Sequence, residues 1–206
     1  MPDDKKLTLR VNTPEAILSF PRLDKASKVD PTNESEEAKY SAVLIFTKES
    51  ETDFAEMKAV ITEVGIARFG KGFKEGVKLG QIKIPLRTGG NEKYFPKGCT
   101  YISPRSKNKP GLVMPYPDES GLPSICKDPE IFYAGARVRA SLTAFAYDRL
   151  GNKGVSFGLN SLQWIGDGTR LDGGDPQQDF DTLEEAPMSQ DSADSEKEEA
   201  MQDLLG

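Results

Sequence analysis

Two long segments that alternate in polarity, separated by turn residues, constrain the fold more than any other feature of the sequence. They lie within GARVRASLTAFAYDRLGNKGVSFGLNSLQWI, residues 135–165. Small apolar residues occupy every second position of the first segment, from Val138 to Ala146. A period of two is typical of a β-strand with one buried face. The turn residues in DRLGNKG then predict a β-hairpin with a long loop.

Shorter β-type segments surround this hairpin. LTLRVN begins a pattern that is interrupted at Pro14 and resumes up to Pro21, and YSAVLIFTK (residues 40–48) predicts a buried strand. Residues 82–117 are rich in Gly and Pro, and two short strands are expected there around the turn SKNKPG.

A single helical pattern follows the YSAVLIFTK segment. Thr52 or Asp53 is the expected N-cap, and the helix is expected to end near residues 68–70. GKGFKEG is then expected to form a flexible basic loop. The predicted buried face of the helix carries an apolar residue every three or four positions: Phe54, Met57, Ile61 and Val64.

One helix among about five to seven β segments predicts a mainly β domain, a small barrel or sandwich. Residues 172–206 show no periodicity and contain one aromatic, Phe180. This composition predicts disorder. The expected organisation is therefore one folded domain over residues 1–171 followed by a disordered acidic tail.

The charge is distributed unevenly between these two parts. The net charge of −6 combines 26 Lys and Arg against 21 Asp and Glu before residue 172 with one Lys against 12 acids after it. A mildly basic body with a strongly acidic arm is typical of proteins that act on nucleic acids, and also of solubilising tails.

The residue types present exclude several classes of chemistry. There is no histidine, which removes His-dependent acid–base catalysis and the common zinc sites. The start MPDDKKLTLR has no apolar secretion segment, so a cytoplasmic location with reduced Cys99 and Cys126 is expected. No enzymatic activity, cofactor, metal ion or membrane contact is expected.

The polar face of the first hairpin segment has an unusual composition. Arg137 and Arg139 are followed on the same face by Phe145 and Tyr147. Cations that follow phosphates and rings that stack on unpaired bases are what a single-strand binding surface requires. The alternative is that the rings close the end of a barrel and the arginines are ordinary solvated charges.

A second stretch, KYFPKGCTYISPRSKNKP, mixes basic and aromatic residues without an acid between Glu92 and Asp118. It predicts a basic, aromatic loop over a groove, and the alternative is a hairpin with solvated lysines and core rings. With Arg149 and Lys153 from the hairpin turn, the candidate DNA-binding residues of this stretch and the hairpin are Tyr94, Phe95, Tyr101, Arg105, Lys107, Lys109, Arg137, Arg139, Phe145, Tyr147, Arg149 and Lys153.

GIARFGKG (residues 65–72) has the spacing of a phosphate-binding loop but lacks its function-bearing residues. Gly72 stands where the Mg²⁺-binding Ser or Thr is required, and the segment leaves a helix instead of a strand. Nucleotide binding is therefore not expected. Two interpretations of the segment remain: a helix C-cap, or a basic loop that touches the DNA backbone.

Three segments resemble phage-encoded single-stranded DNA-binding proteins: YSAVLIFTK, IPLRTGGNEKYFPKGCTYISPRSKNKPGLV and EIFYAGARVRASLTAFAYDRLGNKGVSFGLNSLQWIGDGTRL. The most specific features are an aromatic–glycine step (Tyr133 to Gly135), a strand ending in Tyr147–Asp148, and a Gly-led strand with Leu159–Asn160. The resemblance covers residues 7–171. It implies an oligonucleotide/oligosaccharide-binding (OB) barrel that coats single strands during replication or recombination in the infected host's cytoplasm.

The resemblance also gives the acidic arm a role. Its acids would compete with DNA for the basic groove, and its end, Asp203, Leu204 and Leu205, would dock on phage replication or recombination proteins. Bacterial counterparts end in a proline and an aromatic, so a phage polymerase or recombinase is the expected partner here. The alternative is a solubilising tail with incidental leucines.

Two other functions remain open from the sequence. One is an adaptor or DNA mimic that acts through the acidic arm without binding DNA. The other is a strand-annealing protein, and self-association is compatible with each.

Overall fold

The computed structural model describes residues 7–28, 31–47, 54–89, 95–149 and 151–171. Tyr94, Thr52, Asp53 and the acidic segment from residue 172 onwards lie outside these ranges. The described residues all belong to one compact unit, Met1–Gly173.

The described chain is mainly β, as predicted, with one main helix. The strands are β1 (Thr8–Asn12), β2 (Ala16–Ser27), β3 (Lys39–Phe46), β4 (Ile82–Lys83), β5 (Arg87–Thr88), β6 (Thr100–Ile102), β7 (Arg105–Ser106), β8 (Gly111–Pro117), β9 (Pro123–Ile125), β10 (Arg137–Arg149) and β11 (Asn152–Gly166). The helices are α1 (Ala55–Phe69) and α2 (Phe73–Lys78), with short 3₁₀ turns at Gly70–Gly72 and Pro129–Ile131.

The predicted hairpin is β10 and β11, the longest ladder in the described part of the chain. Val138, Ala140, Leu142, Ala144 and Ala146 are all buried, which confirms the alternation. The predicted long loop is wrong, because the ladder continues to the pair Arg149–Asn152. Gly151 takes a φ of 81°, which glycine adopts without steric cost, so the turn can be tight.

The strand pairings close a circuit in the order β10, β2, β3, β7, β11 and back to β10. All of its pairings are antiparallel except that of β7 with β11. The circuit is weakly closed at β7, which contributes two residue pairs to β3 and one to β11. The circuit has the five strands of the OB barrel that the resemblance implies, but with so few pairs at β7 the sheet is not a clear barrel.

The helix α1 packs on the sheet through the predicted apolar face. Phe54, Met57, Ile61 and Val64 are each at most 4% exposed. Phe54 itself occupies the N-cap position, and no side chain caps it. Burying a large apolar side chain contributes roughly 1.5–3 kcal/mol, so packing and not capping holds this helix in place.

The segment GKGFKEG is helical, as the 3₁₀ turn and α2, and the prediction of a loop there is wrong. The physical reason is Phe73, which is 3% exposed and packs onto Gly65 of α1. A Cβ on Gly65 would lie 2.3 Å from the Phe73 ring, so only glycine permits this contact. Gly65 therefore serves helix packing and not phosphate binding. None of the described helices is long and apolar enough to cross a membrane.

Candidate nucleic-acid interface

The polar face of β10 has two ends of different composition. The arginine end carries Arg137 and Arg139, and the aromatic end carries Phe145 and Tyr147. Tyr147 lies ten positions after Arg137 along the strand, a distance of at most about 34 Å. The structure thus confirms that these residues share a face, but it places them at opposite ends of it.

The aromatic end lies on a floor of glycines from β11. Tyr147 pairs with Gly154, and Thr143 with Gly158. A Cβ on Gly154 would lie 2.7 Å from the Tyr147 hydroxyl and 2.6 Å from the Lys83 carbonyl oxygen, and one on Gly158 would lie 3.9 Å from Phe145 Cε1. The missing side chain of Gly154 lets the Tyr147 ring lie low across β11, whereas Phe145 is in ordinary contact distance of Gly158; both rings are half-buried.

Arg105 joins this end of the face from β7. It pairs with Gly158 in the sheet and is exposed. Across the same row of the sheet, Arg10 of β1 pairs with Thr143. One arginine therefore lies on each side of the aromatic end, because the row runs in the order Arg10, Thr143, Gly158, Arg105.

A cleft of about 60 Å³ opens beside Tyr147 and is lined by Lys83, Arg87, Ser103 and Ser156, among others. A larger groove of about 190 Å³ is lined by Arg22, Lys39, Ser103 and Arg105, again among others. Ser103 lines both, so the two concavities adjoin and share a basic lining.

Three of the sequence-predicted cations form short ion pairs with carboxylates, and a fourth, Lys153, forms a longer one. Arg137 donates to Glu15 through Nε at 2.6 Å and Nη2 at 3.0 Å, Lys107 Nζ lies 2.6 Å from Glu37, and Lys109 Nζ lies 2.7 Å from Asp24. Hydrogen bonds from these cations lower the pKa values of Glu15, Glu37 and Asp24. All three are ionised near neutral pH, so DNA must compete with them for these cations.

At the aromatic end the cations are not committed in this way. Among the described residues, no carboxylate lies within ion-pair distance of Lys83, Arg87 or Arg105. At the turn of the hairpin, Lys153 Nζ lies 3.9 Å from Asp148, and Arg149 is exposed. Lys83, Arg87 and Arg105 therefore place positive charge without a described acidic partner around Tyr147.

Phe95 and Tyr101 form a separate aromatic pair. Their rings stack with centroids 4.6 Å apart and an interplanar angle of 17°. Tyr101 pairs with Arg87 across β5 and β6, so this stack borders the basic cleft. Each ring uses one face on its neighbour, which leaves at most the opposite face for a base.

The sequence interpretation did not include Arg10, Arg22, Lys83 and Arg87, which the structure brings to the same surface. Their positions depend on sheet register between segments far apart in the chain. A short-range pattern carries no signal for such a register.

The aromatic–glycine step on which the sequence resemblance rests forms a clasp at the end of β11. Tyr133 Oη accepts from Gly168 N–H at 3.1 Å and donates to Asp167 at 3.0 Å. A Cβ on Gly168 would lie 2.2 Å from the Gly135 carbonyl oxygen. Arg170 lies over the Tyr133 ring at 4.4 Å. Among these residues the predicted motif has a structural role, since it fixes residues 167–171.

The arrangement supports stacking and charge neutralisation. Successive rings on one face of a strand are about 6.6–6.8 Å apart, twice the 3.4 Å rise of a stacked DNA strand. Phe145 and Tyr147 thus suit a stretched single strand and not a duplex. Within the part of the chain that the structure describes, no group of three or more acids and cysteines could hold a metal ion.

A family model described as the single-stranded DNA-binding protein of Enterobacter phage Enc34 matches residues 9–193. This match confirms the resemblance that the hairpin and its flanking segments suggest. Comparison with curated protein sequences finds no match.

Solved structures of phage proteins share the fold. The single-stranded DNA-binding protein from bacteriophage Enc34 superposes with a TM-score of 0.54 at 20% identity, over 82% of this chain and 86% of that one. The same protein in complex with single-stranded DNA gives 0.54 at 19% identity, over 78% and 88%. A single-stranded DNA-binding protein encoded by bacteriophage T7 gives 0.53 at 11% identity, over 89% and 100%.

Proposed function

We propose that this chain, which belongs to the family of the single-stranded DNA-binding protein of Enterobacter phage Enc34, binds single-stranded DNA without strong sequence preference. In this role it coats and protects exposed strands during phage DNA replication or recombination, in the cytoplasm of the infected host. It acts by binding alone and carries out no reaction.

The observation that carries this proposal is the aromatic end of β10. Phe145 and Tyr147 lie on glycines, and the cations Lys83, Arg87 and Arg105 around them are not paired with described carboxylates. Base stacking on such rings contributes roughly 1–3 kcal/mol per base and depends little on the base, because every base has a π-face. Binding to phosphates makes the affinity fall as salt rises.

The paired cations have a secondary place in the proposal. Arg137, Lys107 and Lys109 can turn to phosphates only by leaving their carboxylates, which reduces what each adds to affinity. Arg139, Arg149 and Lys153 extend the basic surface along the hairpin, and the Phe95–Tyr101 stack borders it.

The acidic segment 172–206 competes with DNA for this surface in the proposed mechanism. One Lys against 12 acids makes it a polyanion that the cations attract as they attract phosphates. When DNA displaces it, Asp203, Leu204 and Leu205 are released to recruit phage replication or recombination proteins. The mixed acidic and apolar end supports such a partner.

The test is fluorescence anisotropy with a labelled strand of about 30 nucleotides and with its duplex, across a salt series. It uses the full-length protein and a variant that ends at residue 171. We expect a preference for the single strand that falls with salt, and tighter binding by the truncated protein because the tethered competitor is gone.

The same experiment separates the alternatives. Absence of single-strand binding by both proteins favours an adaptor that acts through the acidic segment. Weaker binding by the truncated protein at low salt contradicts competition by the segment. Pairing of complementary strands in an annealing assay would add annealing to coating.

A further inference from the structure

Phe20 has the most unusual backbone of the described residues. It is the one described residue other than glycine with a positive φ, at 44°. The register of β2 against β3 moves from Ser19–Val43 to Arg22–Ser41, so two residues of β2, Phe20 and Pro21, oppose Ala42 alone. This is a β-bulge, and its positive-φ position ordinarily takes glycine.

The bulge leaves the Phe20 side chain about half exposed instead of burying it in the core. Phe20 is 51% exposed, although it lies within a 12-residue strand whose neighbours Leu18 and Leu23 are core residues. A positive φ at a bulky residue lowers the stability of the fold. Burial of a ring that is about half exposed offsets little of this loss. Such outliers are concentrated at binding sites, where a bulge directs a side chain to a ligand.

The ring lies at a groove with the chemistry of a nucleic-acid site. Phe20 lines the 190 Å³ groove together with Arg22, Lys39 and Arg105. Arg22 donates to Ser27 Oγ at 2.8 Å and to the Lys28 carbonyl at 3.2 Å, neutral partners that orient its guanidinium and leave its charge available.

Two carboxylates also line this groove but do not reverse its charge. Glu36 and Glu37 are among its lining residues, and Glu37 is paired with Lys107 at 2.6 Å. The three cations that line the groove outnumber them.

The groove continues the surface around Tyr147. The sheet pairs Arg22 with Ser41, Ser41 with Arg105, and Arg105 with Gly158, which lies under Phe145. Three steps between neighbouring strands cover about 14 Å, which is about two nucleotides at the stretched spacing of 6.6–6.8 Å and about four at a stacked rise of 3.4 Å. The site of an OB fold holds at least about four nucleotides, so one bound strand is long enough for both positions.

We propose that Phe20 forms a second base-stacking subsite, which a single strand reaches only after it has crossed from Tyr147 past Arg105. This inference rests on the proposed function and adds to it the path of the DNA across the sheet. A short oligonucleotide occupies the aromatic end of β10, and a longer one occupies both positions.

The test compares wild type and Phe20→Ala with oligo(dT) of about two and about twelve nucleotides, because a strand of two cannot span both positions. We expect Phe20→Ala to weaken binding of the longer strand roughly five- to a hundredfold and to change binding of the shorter one less than about twofold. Tyr116→Ala is the matched control, because Tyr116 is 62% exposed on β8 and lines neither concavity.

Phe20→Gly separates the ring from the backbone. Glycine adopts the positive φ freely, so Phe20→Gly is expected to have a higher Tm than Phe20→Ala. Both variants lack the ring and are expected to bind the longer strand equally weakly. A loss of binding that followed Tm instead would make Phe20 a structural residue.

The remaining outcomes are also decisive. An equal loss on both lengths, or no loss on either, overturns the second subsite while leaving single-strand binding in place. Absence of binding by wild type to either length overturns the proposed function and this inference with it.

Discussion

The two ends of β10 carry cationic chemistry on the same face but differ in what their charges meet. At the arginine end, Arg137 forms two hydrogen bonds to Glu15. At the aromatic end, no described carboxylate lies within ion-pair distance of Lys83, Arg87 or Arg105. A basic residue on a candidate face is therefore available to DNA only if the fold has not already given it an acidic partner.

The largest expected effect that would test this comparison is at the aromatic end. Tyr147→Ala should weaken single-strand binding by roughly 1–3 kcal/mol, the contribution of one stacked base. Anisotropy titrations measure it, with Tyr116→Ala as the control and the fluorescence of Trp164, the one tryptophan in the sequence, as a check on folding. Unchanged affinity in a folded variant would place the DNA elsewhere.

An effect of intermediate size is expected on the salt dependence of binding. It should distinguish Arg105, which has no described acidic partner, from Arg137, which is paired with Glu15. Arg105→Ala should reduce the slope of log affinity against log salt by about 0.7 for each phosphate of the single strand that the side chain neutralises in wild type. Arg137→Ala should leave the slope nearly unchanged, because Glu15 already neutralises that charge. Equal reductions in the two variants would remove the distinction between the ends.

The smallest expected effect concerns the ion pair itself. The hydrogen bond from Arg137 lowers the pKa of Glu15 below its ordinary value of 4.5. A carboxyl with a lowered pKa stabilises the fold above its unfolded pKa, and this contribution is lost as the pH falls through the lowered value. Wild type should therefore be slightly more stable than Glu15→Gln at neutral pH, and the difference should vanish in acid.

Urea unfolding followed by Trp164 fluorescence at about pH 7 and about pH 3 measures this difference. The effect is small because both side chains are exposed, Arg137 by 49% and Glu15 by 37%. A stability difference that persisted in acid would show that Glu15 acts through packing and not through its charge.

Much of the fold could be predicted because its signals are local. The alternation of Val138 to Ala146 and the helical spacing of Met57 and Ile61 arise from periods of two and 3.6 residues. Contacts between separate elements, which no periodicity reveals, made the prediction at GKGFKEG wrong. Phe73 reaches back to Gly65 and makes a helix where the local composition predicts a loop.

Less of the candidate site could be predicted, because most of it depends on contacts between residues far apart in the sequence. The face that carries Phe145 and Tyr147 follows from alternation within one strand. Glu15 lies 122 residues from its partner Arg137, so no local pattern indicates the pair. The bulge at Phe20 is equally hidden, since the residue at the positive φ is not the glycine that would signal it.

The clasp around Tyr133 has a consequence for the acidic segment. It fixes Leu171, whose N–H donates to the Ala134 carbonyl at 2.9 Å, close to the arginine end, where Arg137 pairs with Gly166. Leu171 is the last residue that the structure describes, so in the proposed competition the clasp fixes the point at which the competitor is attached to the domain. The effective concentration of a tethered ligand depends on where its tether begins, so loosening the clasp is expected to change the competition without changing a single DNA contact.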